Sequence, residues 1–185
     1  MEKWDKRNSR IEFIFPHIDH ELSIKNIRMS RLPSRISSTL YKLKYDLLNT
    51  NERLFNCNLK ESSRCNLCSR IDNQGHFLIC GCSPIKKINE NMINLVHSTC
   101  GFLSLEKIVH MDITGEDSTI YSLAWILALI TDHYFTSKKA GNEPEPRMLC
   151  NIFKHNLQIF EGMYPVNSYK TIISHLSFII KECNV

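Results

Sequence analysis

Apolar positions along this chain recur at intervals of three and four far more often than at two, which predicts helices. From Ser34 the residues Ile36, Leu40, Leu43 and Leu47 follow at spacings of 4, 3 and 4, the stripe of an amphipathic helix that begins just after Pro33. Ile85, Ile88, Met92 and Leu95 repeat at 3, 4 and 3 after Pro84, and Gly101 is the expected stop. Leu105 to His110 is a short piece. Asp117 or Ser118 then caps a helix running to about Phe135. Ile120, Leu123, Leu127, Ile130 and Tyr134 form one of its faces, while Trp125, Ile126 and Leu129 fill much of another. A helix apolar nearly all round belongs at the centre of the fold.

Lys138 to Pro146 reads as a loop, with Pro146 suited to the first turn of the next helix. Leu149, Phe153, Leu157 and Phe160 follow at 4, 4 and 3; Gly162 and Pro165 precede a last helix with Ile172, Leu176 and Ile180. Strand signals are few: Ile11-Glu12-Phe13-Ile14-Phe15 before Pro16 is the main one, and Glu52 to Phe55 reads as a short turn after a stop at Asn49-Thr50-Asn51. The expected fold is mainly α, a small zinc-stabilised Cys/His module embedded in a helical domain with little strand. Residues 1–30 form an N-terminal extension, 31–100 a basic helix plus the zinc-binding module, and 101–185 a C-terminal helical region.

Composition adds two constraints. With 185 residues, 43% hydrophobic and 23% charged, the chain can bury a globular core. Its net charge of +4 is modest but clustered: Lys25, Arg28, Arg31, Arg35, Lys42 and Lys44 lie between Leu22 and Tyr45 with no acidic residue among them. Met1 to Arg7 carries charge where a signal peptide needs an apolar stretch, and the longest apolar run, Ile120 to Ile130, is too short to cross a bilayer. Eight cysteines without an export signal read as metal ligands and reduced thiols rather than disulfides, in an intracellular setting, nucleus or cytoplasm.

The candidate chemistry is concentrated in Cys65-Asn66-Leu67-Cys68 followed by His76-Phe77-Leu78-Ile79-Cys80. A C-x2-C turn converges two thiolates on one ion, and His76 and Cys80, four apart on a helix begun by the polar turn Asp72-Asn73-Gln74-Gly75, project from one face. Four N/S ligands close a tetrahedral Zn²⁺ site and leave no position for substrate, so the expected cofactor is one structural Zn²⁺ and no catalytic residue is assigned. Cys82 can substitute for Cys80, and Cys57 is a further nearby thiol. The spacing differs from that of a C2H2 finger. His17 and His20 read as an exposed turn. Cys100, Cys150 and Cys183 read as buried thiols, and His97, His110, His133, His155 and His175 as surface or satisfied core residues. Asp132-His133 lacks an accompanying nucleophile. The chain carries no Walker sequence, no paired acidic metal site and no Tyr-x-Asp-Asp polymerase motif.

Leu32-Pro33-Ser34-Arg35, Thr39-Leu40-Tyr41-Lys42-Leu43, Leu48-Asn49-Thr50-Asn51-Glu52-Arg53-Leu54 and the two Cys/His elements follow one order. That order resembles the zinc-binding region downstream of the polymerase in non-LTR (LINE-type) retrotransposon reverse transcriptases, over roughly residues 30–135. There a basic helix with a leucine stripe leads to a C-x-x-C element and a His-Leu-hydrophobic-x-Cys element. An aromatic-aliphatic run comes next, which Tyr121-Ser122-Leu123-Ala124-Trp125-Ile126-Leu127 looks like. The resemblance implies that Cys65, Cys68, His76 and Cys80 are ligands, and that the region is an accessory to a polymerase rather than an enzyme.

Contact with RNA or DNA follows as the expected role. Arg28, Arg31, Arg35, Lys42, Lys44, Arg64 and Arg70 are the candidate phosphate contacts, which position a nucleic acid without reading its sequence. The alternatives are a structural or protein-interaction zinc module docking on a polymerase domain, favoured if the 120–134 helix leaves a large apolar face open, and a non-functional retroelement relic. No membrane partner is expected.

Overall fold

The computed structural model describes residues 15–29, 32–66, 68–73, 76–79, 84–161 and 166–181. These are mainly helical, as the periodicities predict; the described residues contain no named strand, only an isolated antiparallel bridge between Arg64 and Ile71. The helices run α1 His20–Ile27, α2 Ser34–Lys44, α3 Asn51–Asn56, α4 His76–Ile79, α5 Lys86–Cys100, α6 Leu105–His110, α7 Asp117–Lys139, α8 Pro146–Glu161 and α9 Val166–Lys181. Apart from Phe15, the strand expected at 11–15 lies outside the described residues.

The centre is α7. Residues Ile120 to Thr131 are buried without interruption, and His133 and Tyr134 extend the buried stretch. Helices α1, α2, α5, α8 and α9 all pack against it. The apolar stripes meet there: Ile36, Leu40 and Leu43 of α2, Ile88, Met92 and Leu95 of α5, Leu149 and Phe153 of α8, and Ile172, Leu176 and Ile179 of α9 belong to one cluster. Each such side chain contributes roughly 1.5–3 kcal/mol by leaving water. The cluster spans Ile27 to Ile179 and crosses the expected division near residue 100. Because its face is covered on all sides, α7 has no open apolar surface of the kind that would favour docking through it. No described helix is long and apolar enough to cross a membrane.

Polar pairs between the helices fix the register of this packing. The Asp132 carboxylate accepts from Arg35 Nε at 3.0 Å and from the Thr39 hydroxyl at 2.7 Å, holding α2 to α7. The Ser122 hydroxyl and His175 Nδ1 share a 2.9 Å hydrogen bond between α7 and α9, and Asn91 Nδ2 donates to the Ile179 carbonyl at 2.9 Å between α5 and α9. Helix α1 hangs on the turn after α6: Asn26 Nδ2 donates to the carbonyls of Met111 and Ile113 at 2.9 and 2.8 Å. The Ser23 hydroxyl donates to the His110 carbonyl.

Several boundaries depart from expectation. Helix α2 ends at Lys44 because Asp46 turns left-handed, with φ 49°, so Leu47 leaves the stripe and Leu48 is buried instead. Helix α7 begins at Asp117 after Glu116, with no side-chain cap, and runs to Lys139, into the expected loop. The segment read as a turn after Asn51 is helix α3, capped by the Thr50 hydroxyl accepting from Arg53 N at 3.1 Å; Thr50 starts a helix where a stop was expected. Helix α5 ends at Gly101 as predicted, with φ 81°.

Candidate metal centre

Between α3 and α4 the chain makes a tight hairpin. Asp72 N donates to Ser63 O at 3.0 Å and Cys65 N to Arg70 O at 2.8 Å, pairing its two limbs. At its tip Ser69 N donates to Cys65 O at 2.9 Å while Ser69 itself takes a left-handed conformation, φ 59°. This closed turn brings the side chains of Cys65 and Cys68 to the same side. After Asp72 the chain passes to α4, whose first residue is His76, its N–H bonded to Asn73 O at 3.1 Å. Leu78 of α4 joins the core, and α4 packs on α5.

The result is a cluster. One donor atom each from Cys65, Cys68 and His76 lies within 4.8 Å of the others, and it is the sole group of this kind among the described residues. Cys68 Sγ is 3.7 Å from His76 Nε2. A tetrahedral ion with thiolates at ~2.3 Å and imidazole at ~2.0–2.1 Å sets neighbouring donors about 3.5–3.8 Å apart, so this pair already has the spacing of a shared ion. Cys65 and His76 are buried and Cys68 half-buried. Burial holds the His76 pKa below its ordinary value; Asp72 opposes this, and Lys138 and Arg70 add to it. The neutral imidazole is the form that binds a metal. A soft S₂N set of this shape fits Zn²⁺ and other thiophilic ions and does not suit Mg²⁺ or Ca²⁺. Cys80 and Cys82, the expected closing thiols, lie outside the described residues; Cys57 is exposed beyond the end of α3 and stands apart from the cluster.

The basic residues divide. Arg64 and Arg70 are exposed on the hairpin that carries the thiols, and Arg64 Nη1 donates to Ser69 O at 2.7 Å. On α2, Lys42 is exposed, and Arg35 is 77% exposed along its side chain although its Nε holds Asp132. Arg28 is exposed just after α1, and Arg31 lies outside the described residues. Lys44 corrects the expectation: it is 1% exposed, with Nζ 3.0 Å from His20 Nδ1, so burial removes it from any phosphate-facing surface.

The remaining histidines and cysteines take ordinary places. His17 pairs with Glu106 at 2.7 Å. His133 Nε2 donates to Glu145 O at 3.1 Å while Asp132 is engaged by α2, so these neighbours make no dyad. Burial raises the Cys150 thiol pKa, as expected of an inert core cysteine; Cys100 is half-buried and Cys183 lies outside the described residues.

One residue of the centre had no sequence signal. Asp72 is 1% exposed, and its Oδ2 accepts from Asn51 N at 2.9 Å and from Lys138 Nζ. Neither partner is near it in sequence, at separations of 21 and 66 residues. Asn51 in turn donates to Arg64 O at 2.7 Å and accepts from Lys60 at 2.8 Å. Compared with models of protein families, with curated proteins and with solved structures, the chain matches none.

Proposed function

We propose that this protein is a structural zinc module built into a helical domain, and that it serves as a non-catalytic accessory of a reverse-transcriptase-like retroelement protein that contacts RNA or DNA. The observation that carries the metal reading is the convergence of Cys65, Cys68 and His76 within 4.8 Å. Zn²⁺ is the metal this donor set favours, closed by Cys80 or Cys82. When bound it supplies no reaction step; it cross-links a hairpin to a one-turn helix. The nucleic-acid reading rests on the family resemblance of the sequence and on Arg64 and Arg70, two exposed cations on the hairpin that the metal would hold rigid.

A second reading has its own support. Leu59, Ile71 and Phe55 are 72, 52 and 44% exposed, all on or beside the same module. Exposed apolar side chains around a rigid element suit a protein partner, here a polymerase domain. The two readings separate in one experiment, which measures fluorescence anisotropy of labelled single-stranded RNA and duplex DNA against the zinc-loaded protein over a range of salt. The nucleic-acid reading expects affinity that falls steeply with salt and drops roughly tenfold in an Arg64→Glu/Arg70→Glu variant of unchanged zinc content. Equal binding by parent and variant at low salt overturns it. Metal analysis tests the first half: one zinc per chain in the parent and none in Cys65→Ser.

A further inference from the structure

A side chain that never touches the metal governs how the three ligands are held. Asp72 closes the hairpin through its own backbone, donating to Ser63 O at 3.0 Å, and its carbonyl accepts from Glu52 N at 3.2 Å. Its carboxylate ties two further elements, the first turn of α3 through Asn51 N and the last turn of α7 through Lys138 Nζ. Four residues later the chain delivers His76. The relative position of the thiolate hairpin and the imidazole is therefore set by the segment that Asp72 anchors.

The anchor is a costly one. A carboxylate 1% exposed has lost its water, and among the described residues its Oδ1 has no hydrogen-bond partner. Both of these bonds fall on Oδ2, so the Lys138 ammonium is the charge that keeps an ionised carboxylate tolerable there. Without Lys138 the buried carboxylate loses its counter-charge and its tie to α7, which frees the hairpin base at residue 72.

We propose that Asp72 is the positioning residue of the metal centre, and that Lys138, through it, sets the affinity of the site for its metal. Occupancy is thereby coupled to the C-terminal end of the central helix, from a residue 62 positions beyond His76 in sequence. This rests on the metal reading above. Outer-shell partners of this kind change metal affinity by about 10–100-fold without altering the ligand set.

The test uses Co²⁺ as a spectroscopic probe, titrated into the reduced full-length chain against a competing chelator. The parent is expected to show the visible bands of tetrahedral cobalt and a thiolate charge-transfer band. Lys138→Met and Asp72→Asn should each bind roughly 10–100-fold more weakly with band positions unchanged, because the ligands are the same. Lys138→Arg, which restores the charge, should recover most of the loss. The double variant should be no weaker than Asp72→Asn alone, as expected of two residues acting through one contact. Lys138 lies beyond the buried stretch of α7, so its truncation should leave far-ultraviolet circular dichroism intact. Parent-like cobalt affinity in Lys138→Met overturns the inference and leaves the metal reading standing. Loss of helical signal in that variant also overturns it, since the pair would then support the fold rather than the site. A parent that binds no cobalt removes the metal reading and the inference together.

Discussion

Lowering the pH should destabilise this protein through His110, and the size of the effect follows from where that ring sits. His110 closes α6 and is 1% exposed; neither ring nitrogen has a hydrogen-bond partner among the described residues. It packs against Phe15, ring centroids 4.7 Å apart, and the titratable groups that act on the ring are Lys44, His20 and His17. Burial first, then Lys44, His20 and His17, push its pKa down to about 4. The carboxylates nearby are already engaged, Glu106 with His17 and Asp112 with Lys107. In the unfolded chain the same imidazole titrates near 6.5. Between those two values the unfolded state binds a proton that the folded state refuses, so stability falls as the pH drops through that window and levels off below about 4. Working the two titrations to pH 5 gives a loss of about 2 kcal/mol relative to neutral pH.

Urea unfolding followed by circular dichroism at several pH values from neutral to mildly acidic measures this directly. Acid acts on the whole protein, so the informative quantity is the difference between the parent and His110→Leu. The variant should be more stable than the parent at pH 5 by about 2 kcal/mol more than it is at pH 7.5. At neutral pH it should be near parent stability or above it, because it removes polar atoms buried without partners. Parallel pH profiles in the two proteins would refute the reasoning and place a proton acceptor beside His110.

Removing the metal with a chelator at neutral pH should leave most of the helical signal, since α1, α2 and α5 to α9 share a core that contains no ligand. The hairpin should loosen, read as new tryptic cleavage after Arg64 and Arg70; collapse of the whole helical signal on chelation would contradict this. Gly101→Ala should cost about 1–3 kcal/mol in urea unfolding although its Cβ would meet nothing within 4 Å, because φ 81° and ψ 176° lie in a region essentially reserved for glycine. A neutral substitution there would mean that the end of α5 can refold around the new side chain.

What was legible in the chain was whatever is decided locally. The stripes of α2, α5, α8 and α9 and the all-round apolar character of α7 follow from spacing, and each found its place in the core. Cys65, Cys68 and His76 were legible because the signal is in their spacing, two cysteines in one short turn and a histidine at the next helix start. Lys44 was misplaced because its partner His20 lies 24 residues away, on an element whose position depends on the turn after α6. Arg35 read as a free cation because Asp132, which holds it, is 97 residues distant. A basic run in sequence becomes a basic surface only if tertiary structure spares it, and here α7 takes one cation and the core another. Thr50 was a different failure, an N-cap signal mistaken for a stop; the acidic Glu52 in the first turn of the helix it caps was the available clue.

The segment from α3 to α4 has little apolar burial of its own. Its described residues put little into the core: Leu78 joins the cluster and Cys65 is buried, while Phe55, Leu59 and Ile71 face solvent. Apolar burial of that size cannot offset the ordering of a chain of this length, at roughly 1–2 kcal/mol of backbone entropy per residue. Two other devices are present. One is the polar network of Asn51, Asp72, Arg64, Lys60 and Lys138, which satisfies the hairpin and links it to α7. The other is the cluster of Cys65, Cys68 and His76, which a bound ion would turn into a cross-link. The network alone holds one end of the segment, and the thiols and imidazole lie beyond that end. An ion held by these three residues would order the hairpin tip, and on the reading proposed above Asp72 would place it. The exposed Arg64 and Arg70, along with Ile71, sit on this hairpin.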